Sequence, residues 1–248
     1  MKPFFSMVYY GCLQVVRARV AALFFAGGLV LVAFSVLLEE IAAGQNGRAI
    51  VALGLAGISL VTSVLAGVLP LILIRGQLDS RQAYILLTRP VGRPMFVVAY
   101  FIVTALVVVT GVFVFSVVLG GLSVFYEGEP FTTVVAAGVF GSLGAILLAA
   151  VSTLASVTTT SMTSVVIVGL FFILGRLAPE LAALAHRGGQ YSVVLDVLSR
   201  FLPDLGRFRW LELAGSGDNA PAAALYCCCY VAGLLVIAAL SFQSKDLH

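Results

Sequence analysis

Apolar residues run along this chain in long, nearly unbroken blocks instead of alternating with polar ones. Val20–Leu38 is the first block and closes at Glu39 and Glu40; Ala49–Ile74 follows the polar turn "GQNGR" at 44–48. Met95–Phe125, Phe131–Val157 and Val165–Leu174 come next, the last after the uncharged turn "TTTSMTS" (Thr158–Ser164). Ala220–Phe242 precedes the polar tail "QSKDLH". A bilayer crossing takes about 20 apolar residues as a helix. The pattern therefore predicts six membrane spans, Val165–Leu174 being the shortest. Pro70 should kink the second span, and the long third block should tilt or break near Gly120–Gly121.

The residues before the first block are mixed. Phe4, Phe5, Met7, Val8, Leu13, Val15 and Val16, interrupted by Arg17 and Arg19, predict a helix over 1–19 lying in the inner leaflet interface, with a frayed tail as the alternative. In the fourth span Ala137, Gly141, Ala145 and Ala149 recur at helical spacing. Such a ladder lets helices approach closely, inside one chain or at a dimer seam. Between spans five and six lies a segment over 176–219, where Tyr191–Leu205 has helical periodicity with Asp196 and Arg200 one turn apart. Pro203 should end that helix and Trp210 should anchor the segment at the interface. It reads either as a lid over a translocation path or as a surface connector.

Composition agrees with this pattern. The chain of 248 residues is 61% hydrophobic and 10% charged, whereas a soluble domain carries about 25% charged residues. The fold class is an all-α polytopic membrane protein, a single transmembrane domain over 1–248. With both termini inside, the inner set is Lys2, Arg17, Arg19, Arg75, Arg81, Arg89, Arg93 and Lys245, against Asp79 and Asp246. Nine of the 11 acids then fall outside, so the positive-inside rule places both termini and the 75–94 loop in the cytoplasm of an inner-membrane protein. The net charge of +3 is accounted for by that rule and implies no nucleic acid. The late start of the first block argues against a cleaved signal peptide. Cys227, Cys228 and Cys229 point in different directions on a helix, so they read as small packing residues, as does Cys12.

Much chemistry is missing. With these limits the six spans hold no ionisable group in their interiors, which argues against an ion-coupled transporter or pump. No HExxH, GxSxG or GxxxxGK[ST] pattern occurs, and the histidines are His186 and His248. No catalytic residue, metal site or cofactor of the chain's own is expected, and it carries no P-loop for ATP.

What remains is the basic loop "RGQLDSRQAYILLTRPVGRP" (Arg75–Pro94), with four arginines and one acid, Asp79. An arginine at the centre of a bilayer helix is unfavourable by roughly 2.5–3.5 kcal/mol, so the loop lies outside the membrane. Six spans, an interfacial N-terminal helix and this loop after span two resemble the type-2 ABC permease family, and most of all its branch for multi-copper enzyme maturation. Members carry an acid in this loop, then a Leu-Leu-x-x-Pro-Val-Ser-Arg-like run; here Asp79 and "LLTRPVGR" (Leu86–Arg93) stand in those places. The tail "SFQSKDL" (Ser241–Leu247) is similar to the family's ending, while Gly92, Gln82 and Ala99–Tyr100 depart from its usual residues. The resemblance implies a permease subunit that is no enzyme alone, a second permease copy in a homodimer or a like subunit in a heterodimer, and a separate cytoplasmic ABC ATPase subunit carrying ATP and Mg. It also implies that the loop is a coupling helix, with Asp79, Arg81, Tyr84, Leu86, Leu87, Arg89, Pro90 and Arg93 meeting the ATPase. Two alternatives stand beside export: a mechanotransmission subunit driving an extracytoplasmic partner, and a non-ATP assembly scaffold.

Overall fold

The computed structural model describes residues 2–17, 19–41, 48–79, 93–126, 130–186, 205–208 and 220–243. Of these, 97% are helical and none lies in a strand. This is the arrangement lipid permits, because a helix satisfies its own backbone where no water can.

Helix α1 (Lys2–Arg17) and helix α2 (Val20–Ile41) meet at Arg19, whose φ of 51° is left-handed. The axes of Phe4–Arg17 and Ala22–Leu37 differ by 63°, so the chain turns sharply where the basic pair Arg17 and Arg19 sits. Helix α3 (Arg48–Pro70) runs on through a π-helical turn (Leu71–Arg75) into the short α4 (Gly76–Asp79). Then come α5 (Arg93–Phe125), α6 (Phe131–Thr158), α7 (Ser161–His186), a 3-10 turn (Leu205–Phe208) and α8 (Ala220–Gln243).

Among the described residues, five stretches are long and apolar enough to cross a membrane: Ile50–Arg75, Pro94–Phe125, Phe131–Thr158, Ser161–Ala178 and Pro221–Phe242. The bent pair α1–α2 would make a sixth if it counted as one span. Their outward residues, among them Phe113, Leu170, Leu225 and Leu240, are large and exposed. In water such patches drive association; in lipid they are the expected surface.

Three local features differ from the sequence expectations or complete them. Pro70 lacks an N–H, so the Ala66 carbonyl loses its ordinary partner, and the helix widens into the π turn directly after it. The third block does not break at Gly120–Gly121: α5 is one helix of 33 residues. Its crossing stretch is roughly 48 Å long at 1.5 Å per residue, more than a hydrocarbon core of about 30 Å. The fifth block extends well beyond Val165–Leu174 at both ends. Ser164 donates its hydroxyl to the carbonyls of Ala155 (2.9 Å) and Thr160 (2.8 Å), so the turn shrinks to Thr159–Thr160 and α7 starts at Ser161. At its other end α7 continues through Arg176, where the outer segment had been expected to begin.

Helix α6 is the central post, packed against α3, α5, α7 and α8. Its buried positions are mostly Gly, Ala and Ser, including Ala137, Gly138, Ser142, Gly144, Ala145 and Ala149. Against α3, the buried Ser152 hydroxyl donates to the Gly67 carbonyl. Against α5, Gly138 lies so close to Ser116 that a β-carbon there would collide with the Ser116 side chain, whereas one at Gly141 would meet nothing within 4 Å. Larger side chains of α3 and α5, such as Leu65, Leu69, Val112 and Phe115, close the core around this face.

Gly138→Ala should therefore destabilise the protein by about 1–3 kcal/mol through overpacking. Gly141→Ala should be neutral or gain up to about 1 kcal/mol from helix propensity. Thermal unfolding of both variants in detergent micelles checks the contrast.

Candidate functional site

Two places in the bundle gather polar side chains among apolar ones: the roots of the basic loop, and a cavity between α3, α6 and α7.

The loop residues Arg81, Tyr84, Leu86, Leu87, Arg89 and Pro90 lie outside the described residues. Asp79 ends α4 and Arg93 begins α5, so residues 80–92 connect those two helices. Both roots are held. On the first, the buried Gln77 donates through Nε2 to Oε1 of Gln14 in α1 at 3.0 Å. On the second, Phe96 stacks on Phe242 near the end of α8, with ring centroids 5.9 Å apart, and packs on Tyr100 at 4.7 Å. The N-terminal helix, both loop roots and the last helix thus form one packed unit. The sequence expectation for α1 gave it a place beside the membrane; its anchoring of the loop through Gln14 was not legible.

The second place is a cavity of about 320 Å³. Leu55, Val112 and Gly144 belong to its apolar wall, and Leu205 and Phe208 of the 3-10 turn close one side. On the polar side stand Ser59, Thr62 and Ser63 of α3, together with Arg176 of α7. Arg176 Nη2 donates to Ser59 Oγ at 2.8 Å, and the guanidinium carbon lies 5.5 Å from the centre of the Phe172 ring. Ser59 lies roughly 13 Å along α3 from Ile50, at 1.5 Å per residue. Arg176 thus reaches into the bundle.

That contact corrects the expectation of spans without an ionisable interior group: Arg176 belongs to the crossing stretch Ser161–Ala178. Its charge looked like the end of an apolar block, yet the side chain turns inward toward hydroxyls. An arginine does not release its proton in proteins, so it is no proton relay. The signal that could have found the site is the trio Ser59, Thr62 and Ser63, spaced to share one face of an otherwise apolar helix.

The small-residue ladder divides between two tasks. Ala149 is fully buried in the core, while Ala137, Gly141 and Ala145 line the cavity. The cysteines follow the expected geometry: Cys227 is buried, with its thiol donating to the Leu143 carbonyl at 3.4 Å, and Cys228 and Cys229 are exposed.

No model of a known protein family matches the chain, and no curated protein does. Function is therefore argued from these residues.

Gln14→Ala and Gln77→Ala should each cost about 0.5–1.5 kcal/mol, since each removes the hydrogen bond between the two amides. The double variant should cost less than the two together, with a coupling of at least about 0.5 kcal/mol. Unfolding measurements on the single and double variants decide this.

Proposed function

We propose that this chain is the transmembrane permease subunit of an ATP-binding cassette transporter, moving its cargo out of the cytoplasm across the inner membrane. The observation that carries the reading is the anchorage of the two helices that flank the basic segment. A partner pulling on residues 80–92 acts directly on α1, α3, α5 and α8, because Gln14–Gln77 and Phe96–Phe242 tie those elements together. A loop that merely set topology would need arginines but no such anchorage.

In this reading the chain crosses six times, α1 lies along the inner leaflet, and both termini and the loop are cytoplasmic. The chain has no P-loop, so a separate ATPase subunit binds ATP and Mg. Asp79, Arg81, Arg89 and Arg93 would make charge-assisted contacts with it, and Tyr84, Leu86 and Leu87 a small apolar one. A second copy of the chain completes the permease pair. The cavity supports transport over pure mechanotransmission: it lies between α3, whose far end roots the loop, and α7, with residues 205–208 against it. Such a cavity gives a cargo somewhere to sit.

The test is recruitment. Asp79→Ala combined with Arg81→Ala should reduce co-purification of the ATPase subunit by about tenfold or more, since each lost contact to a charged group is worth about 1.5–3 kcal/mol. Membrane insertion and yield should be unchanged. Equal recovery of the ATPase with the double variant, or no ATPase with the unaltered chain, would overturn the proposal.

A further inference from the structure

The hydroxyls on the cavity's polar side have already spent their protons. Thr62 and Ser63, which line it, donate to α3's own carbonyls at 2.6 Å, on Ile58 and Ser59. A hydroxyl oxygen keeps acceptor capacity after its proton is used in this way. Ser59 is used more fully: it donates to the Ala56 carbonyl at 2.9 Å and accepts from Arg176. Arg176 is itself engaged by Ser59, by the Phe172 ring and by a further contact, so it requires no anion. The described lining residues include no Asp or Glu, so none of them supplies a counter-ion for a cation. Leu55, Val112, Gly144 and Phe208 give apolar surface elsewhere.

We infer that this cavity binds a small uncharged alcohol, its O–H donated to the hydroxyl oxygens of the Thr62–Ser63 pair and its alkyl body against α6. Charge is excluded first. A carboxylate or an ammonium group entering from water would lose its hydration and gain no partner in exchange. The sense of the hydrogen bond decides the head. An ether or ketone, which only accepts, would set its oxygen against other oxygens unless α3 gave up an internal bond. Size decides the body. A volume of about 320 Å³ holds about ten water-sized groups at about 30 Å³ each. That is one medium-length chain with its head; a two-chain phospholipid does not fit. Gly141 on α6, with nothing within 4 Å of its β-carbon direction, leaves the room. As a cargo site the cavity rests on the permease reading. Binding itself is measured on the chain alone, so its failure and a failure of ATPase recruitment are separate results.

The probe is 1-octanol, titrated into the purified full chain in phosphatidylcholine nanodiscs and followed by calorimetry and thermal shift. Empty nanodiscs give the correction for partitioning into lipid. Saturable binding is expected, about fivefold or more tighter than that of ethyl hexyl ether, which has the same length and no donor. Octanoate and octyltrimethylammonium should bind about tenfold or more weakly than octanol. Thr62→Val combined with Ser63→Ala should bring octanol down to the ether's affinity, and Gly141→Leu, which fills the space, should abolish binding of both. The ligand series uses the unaltered protein, so it decides the matter even if the substitutions impair folding. Octane or the ether binding as tightly as octanol would make the cavity a seat for any apolar chain, a lipid tail included, and overturn the inference. Tighter binding of octanoate, no saturable binding of octanol, or an alcohol preference that survives in the folded double variant would overturn it as well.

Discussion

The bundle depends on one helix being thin. Helix α6 stands at the centre because its inward residues are mostly glycine, alanine or serine, so neighbouring backbones can come close enough for dispersion contacts to accumulate. Between helices in lipid there is little hydrophobic driving force, and close packing has to supply the association. The same thinness has a second result. Where a side chain from α5 or α3 fills the space, as Ser116 does at Gly138, the contact is tight. Where none does, as at Gly141, a cavity remains. Packing and pocket come from one choice of residues.

The polar groups inside the bundle follow from the absence of water. A donor or acceptor left unpaired in hydrocarbon costs several kcal/mol. Many of the described serine and threonine hydroxyls accordingly return to nearby carbonyls, as Thr62, Thr104 and Thr153 do, or cross to another helix, as Ser152 does to Gly67; the buried Ser116 hydroxyl is an exception. Pro70 opens a fault in this accounting, and the π turn that follows absorbs it. Helix α3 therefore carries, along one continuous rod, the hydroxyl face of the cavity, the widened turn and the stem of the basic loop. Such a turn is a place where a helix can change shape at modest cost, and it lies between the two features that the proposed function needs to connect.

The basic loop and Arg176 use the same residue type for opposite ends. In the proposed reading, the arginines of residues 75–94 stay out of lipid and face a polar phase. Arg176 is drawn into the bundle because Ser59 accepts its N–H and Phe172 lies beneath its guanidinium. Charge alone does not distinguish the two situations; a partner at the right height on a neighbouring helix does.

Long apolar blocks made the helices and the membrane environment legible from the sequence, because a hydrocarbon solvent imposes its requirement on every residue of a span independently of its neighbours. That Cys227, Cys228 and Cys229 point in different directions was legible for a similar local reason, the 100° step between successive helical positions; which of them is buried was not. The inward turn of Arg176 depends on residues far away in the chain, hydroxyls on α3 more than a hundred positions earlier. Gln14 finding Gln77 is of the same kind. The sequence by itself determined which segments are helical and apolar, since that is decided by local composition. Only the tertiary structure decided which polar side chains meet, because contacts between helices are set by packing in three dimensions.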